Sequence, residues 1–489
     1  MTHRTGTAVP GGPARDTAIP ARLEPDAIGV AQDTIIGLAN VGPALTVGLT
    51  LAALAAAAAY AGAVTIVLCL VPMLVIANAY RRLNLWNANC GASFEWVGRA
   101  INPYLGFLTG WLMIAANLLG TIAAVSVLAP SVLAVFGSNA TSTWPNIFIA
   151  TGVIVIMLVI AVVGIRPTAR VQVGMASVEY AILIGFSIAG LIAVLSHRQG
   201  TFPITREWFT LGGIGGQGSL AAALLVGVFM FAGWDATVYV NEEVRHRRIN
   251  PGRAAVFAVA ILAVIYILAQ VGMQGAVSPA KLQANSSDVL VYIAQSLAGG
   301  GWAKVMAFAL ALSVAASVGI GIVSLARITY GMASRHVLPA FLGSVNRRFS
   351  TPMVASIVAG VTLIAVLWVY LLSGSVANLF TTLISVDGLL YASFYILTAL
   401  AVIAYYWNRV ISNVWDAIFV GILPVGAAGF LVWIAVKSLQ SAPASERWSL
   451  IGIVASGLLV MLAVRVFLRP SFFHTPRESA SKKREQVNP

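Results

Sequence analysis

The stretch GLANVGPA at residues 37–44 lies in the middle of a long apolar run. Pro43 removes a backbone hydrogen-bond donor and disfavours helix at the preceding residue, Gly42. A second interruption, FMFAGWDA at residues 229–236, places a glycine and an ionisable aspartate in another apolar run. A membrane helix normally satisfies its own backbone groups, so breaks are tolerated only where they line a cavity or are shielded by protein. The two stretches therefore predict two discontinuous membrane helices.

The composition around these stretches indicates a membrane protein. Of the 489 residues, 59% are hydrophobic and 9% are charged, and the mean hydropathy is +0.90. Soluble domains carry roughly 25% charged residues, so this chain could not cover a water-facing surface. No Asp, Glu, Lys or Arg lies between Asp33 and Arg81, or between Arg99 and Arg166. Because one crossing needs about 20 apolar residues, each of these runs is long enough for two spans.

The apolar runs and the turn signals between them predict an all-α membrane protein with twelve transmembrane helices. The spans are roughly residues 26–55, 63–80, 103–136, 146–164, 173–196, 220–240, 254–273, 302–324, 352–372, 379–401, 418–436 and 450–467. The breaks open the first and sixth spans, which is the pattern of two five-span repeats of inverted topology. The predicted organisation is a disordered tail over 1–25, the two repeats over 26–200 and 216–402, helices 11 and 12 over 410–468, and a basic tail over 469–489.

The distribution of positive charge predicts the orientation of the chain. With twelve spans, 23 of the 29 Lys and Arg residues fall on the side of the two termini. The positive-inside rule then predicts that both termini are cytoplasmic and that the protein lies in the cell membrane. This asymmetry accounts for the formal net charge of +13 without nucleic acid as a partner. Both tails, up to residue 22 and from residue 470, have a composition that favours disorder. The basic cluster at 482–484 either contacts anionic lipid or is solvated.

Broken membrane helices expose backbone groups that can bind charge. Amide N–H groups at the start of a half-helix hold an anion such as a carboxylate, and free carbonyl groups hold an ammonium or another cation. Two breaks at matching positions therefore favour a substrate site where they meet. The alternative is that Pro43 and Gly233 only kink packed helices.

An ordered set of motifs resembles the amino acid–polyamine–organocation (APC) permeases. In chain order the motifs are GASFEWV at 91–97, GFLTGW at 106–111, GWDA at 233–236, NEEV at 241–244, RINPGRA at 248–254 and RITYGMA at 327–333. The resemblance extends from about residue 33 to residue 400. It implies a five-plus-five inverted-repeat fold with discontinuous helices 1 and 6. It also implies proton-coupled transport or exchange of amino acids or amines.

The same resemblance implies roles for residues of the two breaks. The residues at the positions of the family's substrate site are Ala39, Asn40, Val41, Gly42, Phe229, Phe231, Ala232, Gly233 and Trp234. Phe229 corresponds to an aromatic gate, and Asp235 stands where relatives often carry an acid implicated in pH response. The first break has fewer glycines than the family's carboxylate cradle, which leaves amines and modified amino acids open as substrates.

Acidic residues inside spans are costly and usually functional. Glu179, in the fifth span, stands where many relatives carry a lysine that replaces a sodium ion beside spans 1 and 8. A carboxylate there is predicted to take up the coupled proton, with a purely structural hydrogen bond as the alternative. For Asp387, two alternatives stay open, a functional role and a local hydrogen bond. Asn117 is predicted to line the pocket, with interhelical hydrogen bonding as the alternative. Acids toward the span ends are expected to form salt bridges; they are Asp33, Glu95, Glu242 and Glu243.

These observations predict a secondary active transporter, not an enzyme. The sequence has no spacing of His, Cys and acidic residues typical of a metal or catalytic site, and no phosphate-binding loop, so no cofactor is expected. Cys69 and Cys90 are expected to be unpaired. The expected partners are a small amino acid or amine, protons and membrane lipids, with the chain as a monomer or homodimer. The alternatives are a nucleobase or ion permease of the same architecture and a transport-dead membrane sensor.

Overall fold

The computed structural model describes residues 22–138, 143–214, 217–286, 288–372 and 376–480, and these segments are helices joined by short connections. Within them, eleven helices are long and apolar enough to cross a membrane. β pairing in the same segments is limited to two isolated bridges. The predicted all-α membrane class is therefore confirmed.

The helices are numbered in chain order. They are α1 Val30–Val41, α2 Pro43–Ala58, α3 Gly62–Trp86, α4 Ser93–Ala100, α5 Pro103–Val135, α6 Thr143–Val163, α7 Ile165–Leu195, α8 Gln217–Met230, α9 Ala236–Tyr239, α10 Asn250–Gln274, α11 Pro279–Ala284, α12 Val289–Ala298, α13 Gly300–Ser334, α14 Met353–Leu372, α15 Val376–Val410, α16 Val414–Ser441 and α17 Ala444–Phe467. Short 3₁₀ segments lie at Arg206–Phe209, Leu211–Gly213, Asn241–Glu243, Ala340–Gly343 and Ser471–His474.

Helix α13 is central and α17 is peripheral. In the most apolar 18-residue stretch of α13, 72% of the residues are buried, whereas in α17 only 11% are. Helix α13 packs against α5 and α7, and α10 packs against α3 and α7. The α7–α10 crossing is close because Gly272 faces the backbone carbonyl of Ser187, where a side chain would overlap. Peripheral helices such as α17 cover this core and present their apolar side chains on the outside of the bundle.

The predicted spans correspond to helices with small shifts at their ends. The first predicted span is divided into α1 and α2, and the sixth into α8 and α9, as the two interruptions predicted. Between α3 and α5, the short helix α4 carries Glu95. Helices α11 and α12 were not predicted, because at six and ten residues they are too short to stand out beside the membrane runs. Cys69 and Cys90 are both buried and unpaired, as expected.

The prediction of disorder in the tails is wrong where the structure describes them. At the N-terminal end, Glu24 forms an ion pair of 2.8 Å with Arg166, so residues 23–25 are fixed against the helices. Residues 1–21 and the basic cluster at 482–484 lie outside the described residues.

At the C-terminal end, residues 470–480 form an ordered segment that we call the C-terminal strap. The Phe472 ring stacks on Phe94 of α4 with centroids 4.7 Å apart. The backbone N–H of Glu478 donates to the Arg99 carbonyl at 2.8 Å, and their side chains form an ion pair of 3.1 Å. The polar composition suggested disorder, but the buried rings of Phe472 and Phe473 hold the segment in place. We call the side of the molecule that carries α4 and the strap the terminal face.

Candidate functional site

The two predicted breaks are present and contact each other. Gly42, between α1 and α2, has φ +61°, and Gly233, between α8 and α9, has φ +106°. These left-handed conformations favour glycine. The Asn40 Nδ2 group donates a hydrogen bond of 3.0 Å to the Gly233 carbonyl. Gly37 permits this approach, since an added Cβ would lie 2.9 Å from the Trp234 carbonyl oxygen.

The start of α2 offers no free amide to a ligand in this conformation. Pro43 has no N–H to donate. The N–H of Ala44 donates to Glu179 Oε1 at 2.9 Å, and the N–H of Leu45 donates to Ser313 Oγ at 3.0 Å. The expectation that these amides are exposed for a carboxylate is therefore wrong. A helix N-terminus favours negative charge, and here a carboxylate of the chain itself occupies it.

Glu179 bridges three helices from a fully buried position. Besides the Ala44 amide, its Oε1 accepts a hydrogen bond of 2.7 Å from the Ser313 hydroxyl on α13. Its Oε2 has no hydrogen-bond partner among the described residues. The side chain thus lies beside the first and eighth spans, where the resemblance implied. A proton can be added to the free oxygen without breaking either contact of the other.

Asp235 lies at the second break and is also fully buried. It accepts hydrogen bonds from the hydroxyls of Tyr239 and Tyr395, the latter at 3.2 Å. The Trp234 ring stacks on Tyr395 with centroids 5.4 Å apart and meets Tyr80 edge-on at 4.9 Å. These four aromatic residues, which we call the aromatic block, have no exposed surface. The block packs against α4 at the terminal face, since the Tyr80 ring meets Trp96 edge-on at 5.3 Å.

A polar cavity of about 40 Å³ lies between the breaks, on the other side of the aromatic block. Its walls come from α1, α2, α5, α8, α13 and α15. Its polar lining consists of Asn40, Thr46, Asn117, Thr121, Ser317, Asp387 and Tyr391. The volume is enough for about three water molecules, so a larger solute requires the cavity to widen.

Half of the predicted substrate residues line this cavity. Those that do are Asn40, Val41, Asn117, Phe229 and Ala232. Those that do not are Ala39, Gly42, Phe231, Gly233 and Trp234. The second group contributes backbone geometry or packs on neighbouring helices; the Phe231 ring, for example, is fully buried and lies edge-on to Tyr266 at 5.7 Å.

The cavity also contains residues that the sequence did not assign to it. Asp387 is the most consequential, because it is buried and its Oδ1 has no hydrogen-bond partner among the described residues. The predicted alternative of a local hydrogen bond is therefore not realised for this oxygen. Thr121, Ser317 and Tyr391 were not predicted either. The only signal in the sequence was an acid within a charge-poor span.

Two of the acids expected in salt bridges form them at the terminal face. Glu95 pairs with Arg99 at 2.8 Å and with Arg335. Glu243 pairs with Arg327 at 3.0 Å, and both side chains are fully buried. The pKa of Glu243 is raised by burial, and the Arg327 guanidinium opposes that shift.

The expectation of salt bridges is wrong for the other two acids. Both carboxylate oxygens of Asp33 are buried without a partner among the described residues. Glu242 instead accepts a hydrogen bond of 3.1 Å from the backbone N–H of Cys90.

Taken together, the apolar helices, the paired breaks and the cavity between them define a multi-pass α-helical membrane protein. A family model described as "Amino acid permease" matches residues 33–462. The chain belongs to this amino acid permease family, and the resemblance inferred from its motifs is confirmed.

Curated relatives are similar to parts of the chain. The mouse (Mus musculus) Asc-type amino acid transporter 1 is 30% identical over 29% of this chain and 26% of its own length. The methylthioribose transporter of Bacillus subtilis is 24% identical over 64% of each chain. An arginine/ornithine antiporter of Lactococcus lactis is 22% identical over 56% of this chain and 59% of its own length. The matches thus span between a quarter and two thirds of these relatives.

Solved structures share the fold. MhsT, crystallised in complex with L-phenylalanine, superposes with a TM-score of 0.62 at 16% identity, covering 83% of this chain and 98% of its own. The manganese transporter of Eremococcus coleocola superposes with a TM-score of 0.55 at 13% identity, covering 93% and 99%. At these identities the likeness concerns the fold.

Proposed function

We propose that this protein is a secondary active transporter that moves amino acids or organic amines across the cell membrane by alternating access. The observation that carries the proposal is the contact between the two breaks, where Asn40 joins the Gly233 carbonyl beside a cavity that contains several polar side chains. Discontinuous helices that meet in mid-membrane are the usual means by which transporters bind solutes. Membership of the amino acid permease family supports the substrate class.

The proposed architecture has twelve crossings arranged as two inverted repeats of five and two further helices. The eleven long helices, together with the short α8 and the α9 turn as a divided sixth crossing, support this count. With that count, the excess of Lys and Arg on the terminal face supports cytoplasmic termini in the cell membrane. Lipid contacts and a monomeric or homodimeric state stay predictions.

The substrate is proposed to bind in the cavity beneath Phe229. The names of the relatives include transporters of amino acids, of arginine and ornithine, and of methylthioribose, so the substrate range within this fold is broad. Asn40, Phe229 and Ala232 keep partial exposure, whereas the aromatic block has none. This contrast supports a conformation closed toward the terminal face, as one stage of an alternating-access cycle.

Proton coupling is proposed to use Glu179 and Asp235. Both carboxylates are fully buried, and each lies at one of the two breaks, where protonation can change how the halves of the helix pack. Protonation of Glu179 would weaken its hold on the Ala44 amide, because a neutral carboxyl is a poorer acceptor than a carboxylate. The amides at the start of α2 would then be released as the conformation changes.

Uptake into proteoliposomes tests the proposal. Purified protein is reconstituted, and the accumulation of labelled amino acids and amines is measured with and without an inward pH gradient. Accumulation that follows the gradient is expected for at least one of them. If none is taken up or exchanged, while a purine or a metal ion is, the protein is a permease of another substrate class.

A further inference from the structure

Asp387 stands apart among the polar residues of the cavity because no described residue pairs with its charge. It lies on α15 with Tyr391 one turn further along, and both line the cavity. On the opposite wall, Gly120 of α5 leaves room for it, since an added Cβ there would lie 3.1 Å from Asp387 Oδ2. The neighbouring Gly388 packs on α8, where its added Cβ would lie 3.7 Å from Phe229 Cβ. The carboxylate is thus held between the aromatic gate and α5.

The Ser and Thr hydroxyl groups of the cavity direct their hydrogens into the protein. The Ser317 hydroxyl donates to the Asn40 carbonyl at 2.8 Å, and the Thr121 hydroxyl donates to the Asn117 carbonyl at 2.6 Å. The Thr46 hydroxyl likewise donates to the Val41 carbonyl at 2.7 Å.

Each of the two side-chain amides donates one of its two N–H groups to a backbone carbonyl. The Asn117 amide donates to the Met113 carbonyl at 2.9 Å, and the Asn40 amide donates to Gly233. Among the described residues, the lining contains no Lys, Arg or His, so Asp387 is its one charged side chain.

A cavity that holds one unpaired carboxylate and no cationic side chain among its described lining residues suits a group that only donates. Ammonium and guanidinium groups carry several N–H donors and no acceptor. The amides that would attract a carboxylate are already occupied, at Ala44 by Glu179 and at Leu45 by Ser313. The unpaired negative charge of the lining therefore favours a cationic group on the substrate.

We infer that Asp387 is a specificity-determining residue that pairs with an ammonium or guanidinium on the far end of the substrate. The substrate is then a basic amino acid or a diamine, and not a neutral amino acid. The inference rests on the proposed transport function and narrows its substrate class. A buried carboxylate without a partner is costly, and a cationic substrate would supply the partner.

Binding to the purified full-length protein tests this inference with two pairs of probes. Lysine is compared with norleucine, and 1,5-diaminopentane with pentylamine, because the second member of each pair lacks only a terminal ammonium. We expect the dicationic or basic member to bind at least tenfold more tightly. In Asp387→Asn this preference should fall to less than threefold, mainly by loss of affinity for the basic probe.

Asp33→Asn is the matched control, because Asp33 is equally buried and without a partner but does not line the cavity. It should keep the wild-type preference. Melting temperatures without probe establish that each variant is folded, and the neutral probe reports an intact cavity. Equal affinity of lysine and norleucine for the wild type, or an equal loss of both in Asp387→Asn, would overturn the inference while leaving transport of amino acids intact. Absence of uptake for every amino acid and amine would instead overturn the proposed function and the inference together.

Discussion

Replacing Glu179 by glutamine removes the proposed proton-binding group but keeps the hydrogen bonds that hold the first break. The amide oxygen of glutamine can still accept from the Ala44 N–H and the Ser313 hydroxyl, which lie 2.9 Å and 2.7 Å from Oε1. Hydrogen bonds to a charged group contribute about 1.5–3 kcal/mol and neutral ones about 0.5–1.5 kcal/mol, so the two bonds together lose roughly 2–3 kcal/mol. Part of this loss is offset, because burying a neutral amide costs less than burying a carboxylate. The variant is therefore expected to fold.

The expected effect on transport is larger than the effect on stability. One pH unit corresponds to about 1.4 kcal/mol, so one coupled proton and a gradient of two units can drive roughly 100-fold accumulation. In Glu179→Gln, the ratio of internal to external substrate should fall to about one, because the side chain has no proton to carry. Exchange of labelled for unlabelled substrate at equal pH should stay within about threefold of wild type.

The assay compares gradient-driven uptake and exchange in the same proteoliposome preparations. Gln172→Met is the control. Gln172 joins α7 to α13, as Glu179 does, through a hydrogen bond of 3.2 Å to the Ala316 carbonyl, but it carries no charge. It should leave the accumulation ratio unchanged. Accumulation by Glu179→Gln that follows the pH gradient as in the wild type would refute the coupling role.

Three further predictions follow from contacts near the breaks. Asp235→Asn should reduce proton-driven uptake more than exchange, and an equal loss in both assays would contradict coupling through this residue. Gly233→Ala should lower uptake at least tenfold, because φ is +106° there and the added Cβ would lie 2.8 Å from a neighbouring amide nitrogen; Gly426→Ala, in open space on α16, should not. Arg327→Met should destabilise the protein by about 3–5 kcal/mol, since it leaves Glu243 buried and unpaired. This is measured as a lower melting temperature in detergent, which the double variant with Glu243→Gln should partly restore.

The sequence predicted the helices and their breaks well because these depend on local chemistry. Pro43 and Gly42 act on the backbone at their own positions, and a charge-free run of about 20 residues has few alternatives to a membrane span. By contrast, α11 and α12 have six and ten residues, which is too short for this rule to recognise.

The site was predicted less completely because it depends on which helices become neighbours. That Glu179 lies near the first break came from the resemblance, but that it occupies the Ala44 amide did not. Asp387 lies opposite Gly120, and these residues are far apart in the chain. No local pattern connects them, so a sequence can flag the acid and still not identify what surrounds it. The sequence predicted a salt bridge for Glu243 but not its partner, Arg327, which comes from α13.

The C-terminal strap affects where the protein can be truncated for expression. From hydropathy alone, the chain would be shortened after α17, at about residue 468. Such a cut would uncover the ring of Phe94 and remove the pairing of Glu478 with Arg99, so poor expression of the shortened protein would reflect a missing part of the fold. Reporters and affinity handles therefore belong beyond residue 480, where the strap stays intact.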